Sequence, residues 1–237
     1  MEIKNIKAVY FVGIGGIGMS ALARYFKVMG YEVAGYDRTP SPLTRKMTDE
    51  EGFEITYEDE VKNIREVFQD KEHTLVVYTP AVPKENRILS FFRDNGYALH
   101  KRAEVLGFLS RSKKALCVAG THGKTTTTTM LAFLLHHSHV GCSAFLGGIS
   151  SNFGTNLLID KDSDYVVIEA DEYDRSFLHL HPEIAVITAM DADHLDIYGT
   201  REHLIEAFEE FALQTRGKLF LRKGLELREC FRCHQEA

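Results

Sequence analysis

The chain alternates short apolar runs of strand length with longer stretches in which apolar residues recur at helical spacing. The apolar runs lie at 8–12, 32–36, 74–79, 115–119, 164–168 and 183–188, and shorter strands are predicted at 97–100 and 218–222. Helical patterns lie at 19–29, 85–95, 103–111, 125–135 and 200–214. Because strands that alternate with helices form parallel sheets covered by those helices, the pattern predicts the α/β class.

A glycine-rich loop joins the first strand to the first helix. Gly13, Gly15 and Gly18 match the spacing Gly-x-Gly-x-x-Gly, in the strand–loop–helix context that binds a dinucleotide diphosphate. Asp37 ends the second strand. Its separation in sequence from the glycine motif is near that at which an acidic residue bonds to a ribose hydroxyl. Alone, this opening indicates a dinucleotide-dependent dehydrogenase, and a tight turn without a ligand is the alternative.

A second glycine loop follows the fourth apolar run. Gly120 and Gly123 precede Lys124 and Thr125, so strand, loop and helix N-terminus form a phosphate cradle in which the lysine contacts phosphate and the hydroxyl contacts Mg²⁺. The full P-loop pattern has a glycine where this chain has Val118, so a plain glycine turn with a solvated lysine is the alternative. β-branched threonines have a low helix propensity, so a run of them in a first helical turn indicates a role other than helix formation. This favours the phosphate site.

Acidic residues follow the next two buried strands. Glu169, Asp171, Glu172 and Asp174 come at the end of one strand, where oxygen ligands for a nucleotide-bound Mg²⁺ are needed. Which of the last three supports Glu169 stays open. His194 lies among aspartates after the following strand, and a second metal site, a phosphate contact and a structural role are all compatible with it.

Three other segments are assigned from local composition. Thr79 and Pro80 form a rigid turn at a strand's carboxyl end, where open α/β sheets bind ligands. The acidic segment 38–71 is predicted to be solvated helix and loop, and its charged residues are assigned no catalytic or binding role. The glycine-rich segment 141–156 is predicted to be a loop, either an ordinary surface loop or one that faces a ligand.

Composition narrows the partners and the compartment. The 237 residues, 44% of them hydrophobic and 26% charged, suit one large or two modest globular domains. A formal net charge of -6 gives no electrostatic basis for a nucleic-acid partner. No apolar run approaches the roughly 18 residues that span a bilayer, and segment 1–7 is too polar for a signal peptide. We therefore expect no membrane partner and a cytoplasmic location.

The cysteines fit that expectation. Cys117 and Cys142 are predicted to be small, reduced core residues. Cys230, Cys233 and His234 spell the haem-attachment pattern, but that attachment requires export, so we interpret them as part of an irregular tail.

Four motifs in this order resemble the Mur ligase family, and the resemblance extends over about residues 5–225. They are Gly-Ile-Gly-Gly-Ile-Gly-Met-Ser at 13–20, Gly-Thr-His-Gly-Lys-Thr-Thr at 120–126, Glu-Ala-Asp-Glu at 169–172 and Asp-Ala-Asp-His at 191–194. The resemblance implies a Rossmann-like N-terminal domain, here 1–111, followed by a P-loop ATPase-type α/β domain at 112–237. It also explains Val118, since the family carries the shorter glycine motif.

The resemblance implies that the N-terminal domain binds a UDP-sugar and not NAD. The diphosphate would approach Gly15, Gly16 and Gly18, with Asp37 and the Thr79–Pro80 turn along the uridine. The residues assigned to substrate binding are Gly13, Gly15, Gly16, Gly18, Asp37, Thr79 and Pro80.

The middle domain is implied to bind ATP. Lys124 would stabilise the β- and γ-phosphates, Thr125 and Glu169 would hold a first Mg²⁺, and His194 would help to hold a second. The ATP loop assigned in this way consists of Gly120, Thr121, His122, Gly123, Lys124, Thr125 and Thr126.

The implied reaction joins L-alanine to the lactyl carboxylate of UDP-N-acetylmuramate, a step of peptidoglycan precursor synthesis. The carboxylate takes the γ-phosphoryl group of ATP, and the amine then displaces phosphate from the acyl phosphate. A ligase that attaches a recycled tripeptide is the alternative within the family, and a non-catalytic nucleotide-binding fragment is another. An NAD-dependent oxidoreductase needs neither the second loop nor the Mg²⁺ carboxylates.

The resemblance also implies a third domain, which we expect to be absent from this chain. The family's C-terminal domain contributes to binding of ATP and the amino acid, whereas the chain stops part-way through the expected middle domain and the stretch 225–237 does not resemble the family's continuation. We therefore expect a truncated ligase that is inactive or only partly functional.

Overall fold

The computed structural model of the chain describes residues 5–191, 198–225 and 227, without the side chain of Asp174. The chain divides into two compact units, Met1–Val105 and Leu106–Ala237. Within the described ranges, no helix is both long enough and apolar enough to cross a bilayer.

The first unit is a five-stranded sheet in the order β3-β2-β1-β4-β5, and every strand pair in it is parallel. Its strands are β1 (Ala8–Val12), β2 (Glu32–Tyr36), β3 (Glu54–Thr56), β4 (Thr74–Tyr78) and β5 (Leu99–Lys101). Its helices are α1 (Ile17–Val28), α2 (Pro42–Asp49) and α3 (Arg87–Asp94). The predicted parallel α/β architecture is confirmed here.

The central strand β1 is apolar throughout because it is covered on both faces. All five of its residues are buried, and Tyr10 packs edge-on against Phe68 at 5.3 Å between ring centroids. Gly30 follows the end of helix α1, as predicted, and its φ of 92° lies in the left-handed region that glycine tolerates.

The prediction that 38–71 holds only helix and loop was wrong in one respect. The edge strand β3 lies within it, paired in parallel with β2, and two 3-10 turns follow at Val61–Asn63 and Glu66–Phe68. The residues of β3 are half-buried or exposed, so their sequence carries no apolar run.

The second unit is a six-stranded sheet in the order β11-β10-β6-β9-β7-β8. Its strands are β6 (Lys114–Ala119), β7 (Ser143–Ser150), β8 (Thr155–Leu158), β9 (Tyr165–Glu169), β10 (Ile184–Ile187) and β11 (Lys218–Leu221). Its described helices are α5 (Lys124–His136) and α6 (Arg201–Leu213), with a 3-10 segment at Tyr173–His179. Thr200 caps α6 as predicted, its hydroxyl accepting the His203 N–H at 3.3 Å.

The predicted loop at 141–156 was wrong, because most of it is the antiparallel pair β7 and β8. Phe145 and Leu146 are buried in the sheet, whereas Gly147 and Gly148 break the apolar pattern from which a strand is predicted. Cys142, just before β7, and Cys117 in β6 are both buried and free, as predicted. Burial raises the pKa of the Cys142 thiol to about 11. Cys230, Cys233 and His234 lie outside the described residues.

Helix α4 (Arg102–Ser112) starts in the first unit and ends in the second. Its C-terminal half packs within the second unit, where the Ser110 hydroxyl accepts the His181 N–H at 2.9 Å. A Cβ on Gly107 would lie 2.4 Å from the His179 carbonyl oxygen, so only glycine fits there without a shift. The boundary between the two domains, predicted to lie between residues 111 and 112, stays a prediction.

Candidate nucleotide sites

The first glycine loop is fixed by close contacts with neighbouring strand ends. Gly13 has a φ of 90°, and a Cβ there would lie 2.3 Å from the Thr79 methyl carbon. The Gly15 N–H donates to Asp37 Oδ2 at 2.6 Å. A Cβ on Gly15 would lie 2.8 Å from that same oxygen. Glycine is therefore needed at both positions for the loop to approach the ends of β2 and β4.

A cavity of about 550 Å³ opens beside this loop. Of the residues predicted to bind substrate, Gly13, Gly16, Asp37 and Thr79 line it. Gly15, Gly18 and Pro80 are not among its lining residues. Gly15 instead holds Asp37 through its N–H, and Gly18 packs against the side chain of Arg102.

Sequence reasoning missed several residues of this cavity, among them two with polar side chains that bond to each other. Tyr36 and Asn86 both line it, and a side-chain hydrogen bond joins them. Burial, together with the nearby carboxylates, raises the pKa of Tyr36, so its phenol stays protonated and available as a donor. Tyr36 precedes Asp37 at the end of β2, and this position at a strand's carboxyl end could have identified it.

The Asp37–Gly15 contact gives a first testable outcome. Asp37→Ala is expected to lower the free energy of unfolding of the first unit by about 1 kcal/mol, because it removes a charge-assisted hydrogen bond from a half-buried loop. Denaturant unfolding monitored by tyrosine fluorescence measures this loss. Asp37→Asn keeps a side-chain oxygen and is expected to lose about half as much. Equal losses for the two variants would show that the hydrogen bond is not what matters.

The second glycine loop joins β6 to α5 in the second unit. Gly120 has a φ of 136° and Gly123 a φ of 82°, and both conformations favour glycine. Thr188, just after β10, contacts the loop, since its hydroxyl lies within hydrogen-bond distance of two carbonyls, those of Ala119 at 3.1 Å and His122 at 2.5 Å. The Thr121 hydroxyl accepts the Asp191 N–H at 3.0 Å. Hydrogen bonds therefore hold the loop against the end of β10, through the Thr121 side chain and through main-chain carbonyls of the loop.

Lys124, the first residue of α5, lies folded against its own loop. Its ammonium donates to the Gly120 carbonyl at 2.8 Å. It also lies 2.8 and 2.7 Å from the two carboxylate oxygens of Glu172. The Lys124 side chain is 15% exposed and that of Glu172 is fully buried. Because solvent screens this buried pair only weakly, the attraction between its charges is stronger than in a surface ion pair.

Thr125 and Glu169 meet at the same helix terminus. The Thr125 hydroxyl donates to Glu169 Oε1 at 2.9 Å, and the Gly147 N–H donates to Glu169 Oε2 at 2.9 Å. A Cβ on Gly147 would lie 2.3 Å from this carboxylate. The residue that supports Glu169 is therefore Gly147 of the unpredicted strand β7. Glu172 instead pairs with Lys124 and Asp171 bonds within its own turn, whereas the side chain of Asp174 lies outside the described residues.

The remaining predicted site residues have varied positions. Thr126 is exposed on the first turn of α5. His122 is also exposed, with its Nε2 4.0 Å from Asp191 Oδ2. Asp171 accepts the Tyr173 N–H at 3.1 Å and so organises its own turn. His194 lies outside the described residues.

The donor set at Thr125 and Glu169 suits Mg²⁺. Mg²⁺ prefers hard oxygen ligands and is held in nucleotide sites by one or two protein oxygens together with phosphate and water. Thr125 and Glu169 supply a hydroxyl and a carboxylate oxygen 2.9 Å apart. Within the described ranges, no group of three His, Cys, Asp or Glu side chains converges, so these residues do not form an all-protein metal cage.

Helices α1 and α5 differ from their neighbours at the N-terminus. Residues Ser41, Asn86 and Thr200 cap α2, α3 and α6 with their side chains. Gly16 and Gly123 occupy the same position in α1 and α5, where the described structure shows no side-chain cap and no acidic residue in the first turn. Both glycine loops therefore end at helix termini suited to an anion.

Comparison with known proteins agrees with this geometry. The catalytic domain of the Mur ligase family matches residues 8–114, and the Mur ligase middle domain matches residues 118–221. The UDP-N-acetylmuramate–L-alanine ligase of Phocaeicola vulgatus is 59% identical over 229 residues, which cover 96% of this chain and 50% of the relative. The chain thus spans about half the length of the curated relatives it matches.

Two solved structures share the fold over nearly the whole chain. The UDP-N-acetylmuramate–alanine ligase of Thermotoga maritima is 32% identical with a TM-score of 0.75, over 90% of this chain and 48% of that one. A ligase from Neisseria meningitides for UDP-N-acetylmuramate and L-alanyl-γ-D-glutamyl-meso-diaminopimelate is 25% identical with a TM-score of 0.78, over 93% and 72%. With two glycine loops, a lysine–carboxylate pair and two matching domains, the chain belongs to the Mur ligase family.

Proposed function

We propose that this chain supplies the UDP-sugar and ATP sites of a ligase that joins L-alanine to the lactyl carboxylate of UDP-N-acetylmuramate. The observation that carries the proposal is the grouping of Lys124, Thr125 and Glu169 at the N-terminus of α5. Similarity to L-alanine ligases, at 59% identity over 229 residues, supports the choice of substrates. A cytoplasmic location is part of the same proposal.

The first unit would bind the UDP-sugar. The uncapped N-terminus of α1 offers backbone N–H groups and a positive helix dipole to the diphosphate. Gly16 adds no side chain at this terminus, so a phosphate can approach the main chain closely. Asp37, Tyr36 and Asn86 would contact the uridine end through their polar side-chain atoms.

The second unit would bind ATP and stabilise charge during phosphoryl transfer. Lys124 supplies a positive charge for the β- and γ-phosphate oxygens, and the main chain between Gly120 and Gly123 cradles them. Thr125 and Glu169 would hold Mg²⁺, which neutralises charge on the transferring group when it is bound. His194 stays a proposed ligand of a second ion.

The proposed reaction has two steps, phosphoryl transfer to the carboxylate and attack of the amine on the acyl phosphate. A lactyl carboxylate oxygen attacks the γ-phosphorus, the bond to ADP breaks, and an acyl phosphate forms. The neutral amine of L-alanine then attacks the acyl carbon and loses a proton, and inorganic phosphate leaves. Lys124 serves the first step, because negative charge is spread over the phosphoryl oxygens at the transition state.

A second candidate is the ligase that attaches a recycled tripeptide to the same UDP-sugar. The structural similarity to the Neisseria meningitides ligase, with a TM-score of 0.78, is the observation that supports it. Both candidates use the same sites in the described units and differ only in the amine substrate.

Release of ADP measures the proposed activity. The chain is incubated with ATP, Mg²⁺ and UDP-N-acetylmuramate, together with either L-alanine or the tripeptide. Where turnover is measurable, we expect ADP release to depend on L-alanine. Release that depends on the tripeptide alone would favour the second candidate. Nucleotide binding with no release for either amine would reduce the function of this chain to binding.

A further inference from the structure

The Lys124 ammonium is already engaged by oxygen atoms of the protein, through hydrogen bonds to the Gly120 carbonyl and Glu172 Oε1 and an ion pair with Glu172 Oε2. A lysine ammonium has three donors and no acceptor. Three oxygens lie within hydrogen-bond distance of Nζ, namely Gly120 O at 2.8 Å and the two Glu172 carboxylate oxygens at 2.8 and 2.7 Å. A phosphate oxygen that approaches this ammonium therefore competes with the Glu172 carboxylate for its positive charge.

Glu172 is held in this position by its main chain. Its carbonyl accepts the Tyr198 hydroxyl at 2.5 Å and the Arg175 N–H at 3.0 Å. The Tyr198 side chain is itself buried. The carboxylate thus lies against Lys124 because the turn after β9 places it there, and it lacks the freedom of a surface side chain.

The glutamate that ends β9 and the glutamate three residues later have separate partners on α5. Glu169 accepts a hydrogen bond from Thr125, whereas Glu172 accepts one from Lys124, which precedes Thr125 on α5. Glu169 has the arrangement of a metal ligand, with a hydroxyl oxygen beside it. Glu172 faces a cation and is fully buried, so its charge acts on whatever binds that cation.

We propose that Glu172 is an internal competitor of the nucleotide, which occupies Lys124 until a phosphate displaces it. The proposal rests on the proposed function, since the incoming anion is a phosphate of ATP. Glu172 acts through Lys124 and is therefore a positioning residue. Its carboxylate lowers nucleotide affinity because it satisfies the ammonium and repels the phosphates. It also keeps Lys124 from being buried without a counter-ion in the nucleotide-free protein.

Calorimetric titration with ATP·Mg²⁺ tests this competition. Glu172→Gln keeps an oxygen for Lys124 but removes the charge, and is expected to bind ATP·Mg²⁺ about fivefold more tightly than the wild type. The same variant is expected to unfold at a lower temperature in the absence of nucleotide. Affinity equal to or weaker than that of the wild type overturns the proposal, because a merely structural role predicts no gain.

Three matched variants distinguish competition at Lys124 from a general effect of removing negative charge. Glu210→Gln on α6 removes an exposed carboxylate that pairs with Arg175 at 3.4 Å, and is expected to bind like the wild type. Glu172→Asp keeps the charge but retracts it by one methylene group, so a smaller gain is expected. It also serves as the test if Glu172→Gln does not fold, and then no gain overturns the proposal. In a Lys124→Ala background, Glu172→Gln is expected to give no gain.

The outcomes separate the two proposals. A gain that persists without Lys124, or that Glu210→Gln reproduces, shows general charge repulsion and overturns the competition. Absence of ATP binding to the wild-type chain contradicts the proposed function and this inference with it. Wild-type binding with no gain for Glu172→Gln contradicts the inference alone.

Discussion

Lys124→Ala is expected to weaken ATP·Mg²⁺ binding by about 10- to 100-fold, and to lower ATP turnover by at least about 100-fold where turnover is measurable. The lost contact is a charge-assisted hydrogen bond to phosphate, which contributes about 1.5 to 3 kcal/mol. Turnover falls further because charge on the phosphoryl oxygens increases at the transition state. Titration calorimetry and an ADP-release assay measure the two effects.

The same substitution is expected to destabilise the second unit. It leaves the fully buried Glu172 carboxylate without its cation, which costs about 3 to 5 kcal/mol. Adding Glu172→Gln to Lys124→Ala is expected to recover much of that stability but none of the affinity. Lys218→Ala, at an exposed position on β11, is the charge control and is expected to leave both unchanged. Near-normal ADP release from Lys124→Ala would rule out the assigned role of this lysine.

Gly120→Ala is expected to lower the free energy of unfolding of the second unit by roughly 3 kcal/mol. The φ of 136° is strained for any residue with a Cβ. The added carbon would lie 2.3 Å from the Thr188 hydroxyl oxygen and 2.8 Å from the Ala189 nitrogen. Because the second neighbour is main chain, a side-chain rotation cannot relieve the contact. Thermal and denaturant unfolding measure the loss.

Gly148→Ala is the matched control for this substitution. Gly148 also lies in the second unit, and a Cβ there meets no atom within 4 Å. Its unfolding free energy is expected to stay within about 0.5 kcal/mol of the wild type. Gly120→Ala should also weaken ATP binding, because the loop that cradles the phosphates has to shift. Wild-type stability for Gly120→Ala would mean that the loop geometry described for Thr188 is wrong.

The sequence was sufficient to predict those parts of the fold in which local pattern and burial agree. Strands β1, β6 and β9 are continuous apolar runs because helices cover both faces of a parallel sheet. Gly13 and Gly120 could be identified because each follows such a strand and precedes a helix. Thr125 and Glu169, which were predicted to hold Mg²⁺ together, lie within hydrogen-bond distance of each other, and their role as ligands stays a prediction.

The rest depends on tertiary contacts that no local pattern encodes. Strand β7 contains Gly147 because the Glu169 carboxylate leaves no room for a Cβ, and this glycine made the segment look like a loop. The acidic residues after β9 are alike in sequence. Only the fold of the following 3-10 turn directs Glu172 towards Lys124 and leaves Asp171 to bond within the turn.

Two glycine loops in one chain are expected to bind two different nucleotides. Titration calorimetry of the chain with UDP-N-acetylmuramate, with ATP·Mg²⁺ and with NADH tests this expectation. We expect UDP-N-acetylmuramate and ATP·Mg²⁺ each to bind at one site per chain, Lys124→Ala to impair only ATP·Mg²⁺ binding, and NADH not to bind. Binding of NADH without binding of UDP-N-acetylmuramate would contradict this expectation.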